Sequence, residues 1–264
     1  MQEKIPIFYH IPKCGGTYVI TKIREIFRGN DIRPGVILVV SDNSKADCEV
    51  FIRCFTTKAG TKKVINYEDG CLKEYIDDIL FISLTETGIR DREKILKSID
   101  KDIWEFTTLR EPFSRSQSMY NYLTSQASSH EPTHNSLKSK TYIDYLENKE
   151  YEKNWIFENL QFYEAIHLYD MHFLDNAIAD AMSYCYPSID INKYNTKDVN
   201  KNENLHKSEK IKIEDCPKNL VDDFCKHNAL DQKIYKYCIN QTLQKYKLHT
   251  YRNIFEGRNF RNRP

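Results

Sequence analysis

Ile5-Pro6-Ile7-Phe8-Tyr9-His10-Ile11-Pro12-Lys13-Cys14-Gly15-Gly16-Thr17 is the stretch on which the fold turns. It opens with an apolar run of strand length and continues into a turn rich in Pro and Gly. Behind it Val19, Ile20, Ile23, Ile26 and Phe27 recur at helical spacing. The reading is strand, tight loop, helix. Outward from it, the short apolar runs Val36 to Val40, Val50 to Ile52, Ile79 to Leu84 and Trp104 to Leu109 have strand character, and helix-periodic segments stand between several of them. That alternation predicts an α/β fold with a mostly parallel central sheet flanked by helices. Helices are expected from Pro112 through Tyr122, over Tyr142 to Leu146, Glu152 to Phe162 and Leu174 to Tyr184, and as one helix or a pair between Pro217 and Tyr246. Ser125 to Lys140 reads as a long polar loop or lid, and Asn192 to Asn204 as a Lys/Asn-rich linker.

A length of 264 residues fits one large domain or two small ones at roughly 150 residues each. With no internal repeat and no composition shift, a single domain over 1–250 followed by a basic tail, 251–264, is expected. The chain is 40% hydrophobic and 29% charged, a globular profile rather than a disordered one. Lys+Arg 39 against Asp+Glu 38 leaves +1, so no whole-molecule field points to nucleic acid, and any anion site must be local. No apolar run approaches the ~18 residues of a membrane span, and the N-terminus lacks an export-signal pattern. The expected location is cytoplasmic, with a trimmed luminal Golgi-type domain as the alternative. The eight cysteines show no C-x-x-C pair and read as reduced thiols.

Lys13 to Thr17 has the composition of an anion cradle. Glycines let backbone N–H groups approach oxygen atoms at the start of a helix, whose dipole adds roughly 0.3–1 kcal/mol. Lys13 adds a mobile charge, Thr17 a hydroxyl, and Pro12 stiffens the entry. The lysine precedes Gly15-Gly16 instead of following the second glycine, so the loop is not a Walker loop and an ordinary nucleotide kinase is disfavoured. A plain tight turn with a solvated lysine is the bland alternative. Farther along, Arg110-Glu111-Pro112-Phe113-Ser114-Arg115-Ser116-Gln117-Ser118 follows a strand-like run, and proline marks a helix start. Arg110 at the strand end and Ser118 two turns into the helix can face one crevice, where an arginine fork suits a phosphate. The bland alternative is an Arg110–Glu111 pair.

His-Ile-Pro-Lys-Cys-Gly-Gly-Thr at 10–17 resembles the H-I-P-K-T-G-G-T loop of the carbohydrate-type sulfotransferases, the group that includes the heparan and chondroitin enzymes. Leu-Arg-Glu-Pro-Phe-Ser-Arg-Ser-Gln-Ser-Met-Tyr at 109–120 is similar to their L-R-D-P-x-x-R-x-x-S-x-Y element, and Asn228 to Tyr235 to the N-x-x-D-x-x-L-Y stretch of their last helix. The first two occur in the family's order, with Lys13 and Arg110 separated by 97 positions. The resemblance implies a P-loop-like architecture and a transferase that takes a sulfuryl group from 3′-phosphoadenosine 5′-phosphosulfate (PAPS), leaves 3′-phosphoadenosine 5′-phosphate (PAP), and needs no metal. It implies that Pro12, Lys13, Cys14, Gly15, Gly16, Thr17 and Tyr18 bind the 5′-phosphosulfate, and that Arg110 and Ser118 hold the 3′-phosphate. It further implies that His206 and Lys207, in a basic segment ahead of the last helix, approach the nucleotide, with a solvated Lys/Asn-rich linker as the alternative. Cys14 for threonine and Glu111 for aspartate depart from the pattern.

The acceptor that the resemblance implies is a hydroxyl, or as second choice an amine, expected on a carbohydrate or small molecule. Its proton needs a base. Glu86, after the run Phe81 to Leu84, stands first, as the family places an acid or histidine after a central strand; His130 and His134 follow. His10 is expected to be structural. His130-Glu131-Pro132-Thr133-His134 matches H-E-x-x-H, but Pro132 opposes the helix that a zinc site needs. Two rivals remain: a kinase using ATP with Mg²⁺, and a module that binds a nucleotide without turnover.

Overall fold

The computed structural model describes residues 4–30, 79–85, 89–90, 92–124, 139–193 and 211–246, with the backbone alone over 36–42, 50–56 and 62–66. Seven strands form one sheet: β1 Ile5–Tyr9, β2 Val36–Asp42, β3 Val50–Thr56, β4 Lys62–Asn66, β5 Ile79–Leu84, β6 Ile103–Leu109 and β7 His167–Asp170, in the order β4-β3-β2-β5-β1-β6-β7. Strands β2, β5, β1, β6 and β7 run parallel, each to the next. The helices are α1 Gly16–Gly29, α2 Arg92–Lys97, α3 Pro112–Leu123, α4 Tyr142–Glu147, α5 Trp155–Asn159, α6 Leu174–Cys185, α7 Lys218–His227 and α8 Ala229–Tyr246.

Strand β1 is buried at every position, as a central parallel strand covered on both faces must be. Ile5, Ile7 and Tyr9 pack on one side with Ile95 of α2, Ile156 of α5, and Ile234, Cys238 and Ile239 of α8. Phe8 packs on the other, with Val19, Ile23, Ile26 and Phe27 of α1 and Ala177, Ile178, Ala181 and Met182 of α6. The α1 positions fall at i, i+4, i+7 and i+8, one stripe of a helix, so the sequence period sets the buried face. A third cluster joins Phe113 and Tyr120 of α3 to Tyr142 and Tyr145 of α4 and Phe224 of α7.

The expected α/β fold with a parallel central sheet and flanking helices is present. Several details differ. β3 pairs antiparallel with both β2 and β4, so a hairpin extends one edge of the parallel sheet. β4 and β7 went unforeseen, because Lys62-Lys63-Val64-Ile65-Asn66 and the four residues of β7 carry too little apolar pattern. The helix expected over Glu152 to Phe162 shrinks to Trp155–Asn159 followed by a 3-10 turn at Tyr163–Ala165. Asn154 at its start sits in the left-handed region (φ 47°), which no α-helix can pass through. The Pro217 to Tyr246 segment is a pair, broken at Asn228.

Asn228, Asp231 and Tyr235, from the third family-like stretch, bind that pair to the rest. Asn228 Oδ1 accepts from the Asn154 amide at 3.0 Å, and the Asp231 carboxylate accepts from Ile156 and Phe157 amides at 3.1 and 2.8 Å, capping α5 from another helix. Burial pushes the Asp231 carboxyl up, against those bonds. Among the described residues no helix is long and apolar enough to cross a membrane. Cys14, Cys185, Cys216, Cys225 and Cys238 are free thiols.

Candidate anion site at the carboxyl edge of the sheet

In chain order the parallel strands lie 2-3-1-4-5, with β1 central; strands added next in sequence go to one side of β1 and later ones to the other. The crevice beyond the carboxyl ends of such strands is where open α/β sheets take ligands. The loop after β1 lies there.

Five of its carbonyls, those of Tyr9, Ile11, Pro12, Cys14 and Gly15, are occupied. Tyr9 O accepts from Thr107 Oγ1 at 2.6 Å, Ile11 O from the Cys14 amide at 3.2 Å, Pro12 O from Arg115 Nε at 3.3 Å, Cys14 O from Thr108 Oγ1 at 2.7 Å and Gly15 O from the Val19 amide at 3.2 Å. Its amides are not: those of Lys13, Gly15, Gly16 and Thr17 donate to no described residue, and α1 has no side-chain cap. Orphan N–H groups at a helix start, on a backbone anchored by its carbonyls, form a cradle for an anion. Both glycines are required. Gly15 has φ 88°, and a Cβ there would lie 2.9 Å from the Leu174 methyls; a Cβ on Gly16 would lie 1.9 Å from His10 Cδ2. His10 thus sits under the cradle as a packing group. Burial, with the Lys13 charge second, pushes its imidazole down to about 4, so it is neutral at physiological pH.

Lys13 itself has φ 66°. Its Nζ lies 4.2 Å from the Tyr122 ring centroid, a cation–π distance. Burial and then the Arg110 charge hold its pKa below the ordinary lysine value. Arg110 follows the last residue of β6, and its backbone N–H donates to the Cys14 sulfur. Lys13 and Arg110 are thus neighbours of like charge, and neither is ion-paired with a described carboxylate. The expected alternative, an Arg110–Glu111 pair, is not formed. Glu111 spends both oxygens capping α3, accepting from the Phe113 and Ser114 amides at 2.9 and 2.7 Å. Two like charges beside amides that have no partner among the described residues form a positive local field that favours an anion.

Thr17 is exposed at the helix start, and Ser118 shares with Tyr122, one turn on, the helix face against which Lys13 rests. Cys14 is buried: its side chain lies in the core, its amide closes the turn, and burial pushes its thiol up to about 11. Tyr18 turns to α6, donating to Asp175 at 2.6 Å beside the Lys22–Asp175 pair. Glu86, His130, His134, His206, Lys207, the tail 251–264 and most of the polar stretch expected as a lid lie outside the described residues.

Residues that sequence reasoning passed over complete the site. Arg115 is buried, holds Pro12 O and Glu152 Oε2 (2.6 Å), and stacks on Trp155. It lies inside the quoted L-R-E-P-F-S-R element, a signal that was available. Thr107 and Thr108, a hydroxyl pair at a strand end, gave a weaker one. Asp170 and His172 gave none, because β7 itself was not anticipated, whereas Tyr235 closes the quoted Asn228 to Tyr235 stretch. No family model matches the chain, and neither a curated protein nor a solved structure is found to be similar to it.

Proposed function

We propose that the chain is a sulfotransferase that moves a sulfuryl group from PAPS to a hydroxyl, or as second choice an amine, of a carbohydrate or small-molecule acceptor. The observation that carries this reading is the meeting, at the carboxyl end of the central strand, of four amides and two cations of the quoted motifs that have no hydrogen-bond or ion-pair partner among the described residues. The 2-3-1-4-5 strand order supports a P-loop-like architecture for it, since it sets the loop at the switch point. Gly15 and Gly16 let the loop backbone pack closely on Leu174 and His10, where a Cβ would collide, and this supports a fixed set of amides facing the ligand.

In this reading the amides of Gly15, Gly16 and Thr17 bind the 5′-phosphosulfate, and Lys13 leaves Tyr122 to neutralise charge on the leaving phosphate. Arg110 and Ser118 hold the 3′-phosphate. The donor supplies the sulfuryl group; the chain supplies position and fixed charge, the main levers in transfer between oxygens. The acceptor O–H gives its proton to a base as the new S–O bond forms and the bond to the phosphate oxygen breaks. Glu86 is assigned that role first, His130 second.

Thermal unfolding with equal concentrations of PAP, AMP, and ATP with Mg²⁺ tests the donor. A ligand at ~100 times its Kd adds roughly 2.7 kcal/mol, several degrees of midpoint. PAP alone should stabilise strongly, and transfer from PAPS to an acceptor panel should follow. Stabilisation by ATP–Mg²⁺ alone favours the kinase; PAP binding with no transfer favours a non-catalytic module.

A further inference from the structure

The Lys13 ammonium rests 4.2 Å from the centre of the Tyr122 ring, at the last turn of α3. Tyr122 lies outside the quoted motifs. A ring face attracts a cation through its quadrupole alone, so the contact is weak beside a bond between opposite charges, and it gains strength where water is kept away. Lys13 and Tyr122 are both half-buried. Among the described residues no carboxylate pairs with Lys13, and Glu111, beside its neighbour Arg110, is spent on the α3 cap. Burial and the Arg110 charge both disfavour the charged lysine. The ring is therefore the group that compensates the ammonium in place of an anion.

The backbone on either side of Lys13 is held. Pro12 O accepts from Arg115 and Cys14 O from Thr108, and Lys13 itself has φ 66°. The ammonium thus changes place by rotation of its own side chain and not by a shift of the loop. Arg115 stands two turns before Tyr122 on α3, roughly 10 Å of helix rise, so the lysine side chain runs out along that helix.

We infer that the Tyr122 ring competes with the ligand for Lys13: it holds the ammonium when no ligand is bound, and a phosphate-bearing ligand binds by drawing the ammonium off the ring. This rests on the anion-site reading above and adds to it a contact that weakens donor and product alike. A uniform weakening of that kind costs affinity and speeds the release of PAP.

Calorimetric titration with inorganic pyrophosphate and, separately, PAP tests this on the wild type, Tyr122→Leu and Tyr122→Phe. Phenylalanine keeps the ring face and removes only the hydroxyl; leucine removes the face and keeps an apolar side chain. Tyr122→Leu should bind pyrophosphate roughly five- to tenfold more tightly than the wild type, and Tyr122→Phe within about twofold of it. On a Lys13→Met background Tyr122→Leu should change nothing, since no ammonium is left to release. A gain in affinity that needs Lys13 is not what damage to the end of a helix produces. Unchanged or weaker pyrophosphate binding by Tyr122→Leu would overturn the inference, as would an equal gain on the Lys13→Met background.

Proton NMR of the wild type gives a second measurement that needs no leucine variant to fold. The ε-CH2 protons of Lys13, assigned by their absence from Lys13→Met, should lose their upfield ring-current shift as pyrophosphate saturates the protein; a shift kept at saturation would overturn the inference. Tighter pyrophosphate binding by Tyr122→Leu without PAP binding would uphold it while removing the PAPS reading. PAP binding with no gain in the leucine variant would remove the inference alone, and binding of neither probe to the wild type would remove both.

Discussion

Two strand-to-helix junctions stand side by side at the carboxyl edge of this sheet, and they solve the same problem in opposite ways. After β6, the amides that open α3 are taken by the chain's own Glu111. After β1, the amides that open α1 have no partner among the described residues, on a loop held through the carbonyls of Tyr9, Ile11, Pro12, Cys14 and Gly15. A helix start is an anion site only where the chain withholds its own carboxylate. The first junction is self-sufficient, and by capping itself it frees Arg110. The second keeps two glycines, two cations and no side-chain cap, the arrangement on which the proposed anion site rests.

The sharpest way to break this contrast is Lys13→Ala. Transfer from PAPS should fall by roughly two to three orders of magnitude, as loss of one transition-state charge partner does, with the thermal midpoint unchanged. Near-normal turnover would return Lys13 to the status of a solvated charge resting on Tyr122. Gly16→Ala comes next. Its Cβ has no room beside His10, so a loss of about 3 kcal/mol is expected in urea unfolding, together with loss of PAP binding. Adding His10→Ala should return part of that stability; if it does not, the contact with His10 is not what makes the glycine necessary.

Arg110→Ala should weaken PAP by roughly ten- to a hundredfold and AMP much less, because only PAP carries the 3′-phosphate. Equal losses measured by calorimetry would mean that Arg110 serves the cradle and not that group. The smallest effect is at the other junction. Glu111→Ala should cost about 1 kcal/mol of unfolding free energy, as loss of a helix cap does, and leave PAP affinity within about twofold. A large fall in affinity there would show that the self-capped junction also shapes the ligand site.

Much of this was legible before any coordinates. The period of Val19, Ile23, Ile26 and Phe27 placed α1, the run Ile5 to Tyr9 placed the central strand, and Pro112 placed the start of α3. The short strands were not: four residues of β7, or five with two lysines in β4, carry no period long enough to read. The helix expected over Glu152 to Phe162 failed for a related reason, since its start is set by Asn154 in the left-handed region and by Asp231 reaching over from α8, both invisible to local pattern.

By itself, then, the sequence determined what is local: the strand–loop–helix unit, the residue types of an anion cradle, and an arginine at the next strand end, all carried by neighbours in the chain. Only the tertiary structure decided which polar groups are already spent. Thr108 and Arg115 fix the loop from 94 and 103 positions away, and Tyr235 reaches Asp170 across 65. Whether a donor or a charge is satisfied depends on what the fold brings within about 3 Å of it, and that distance bears no relation to spacing along the chain.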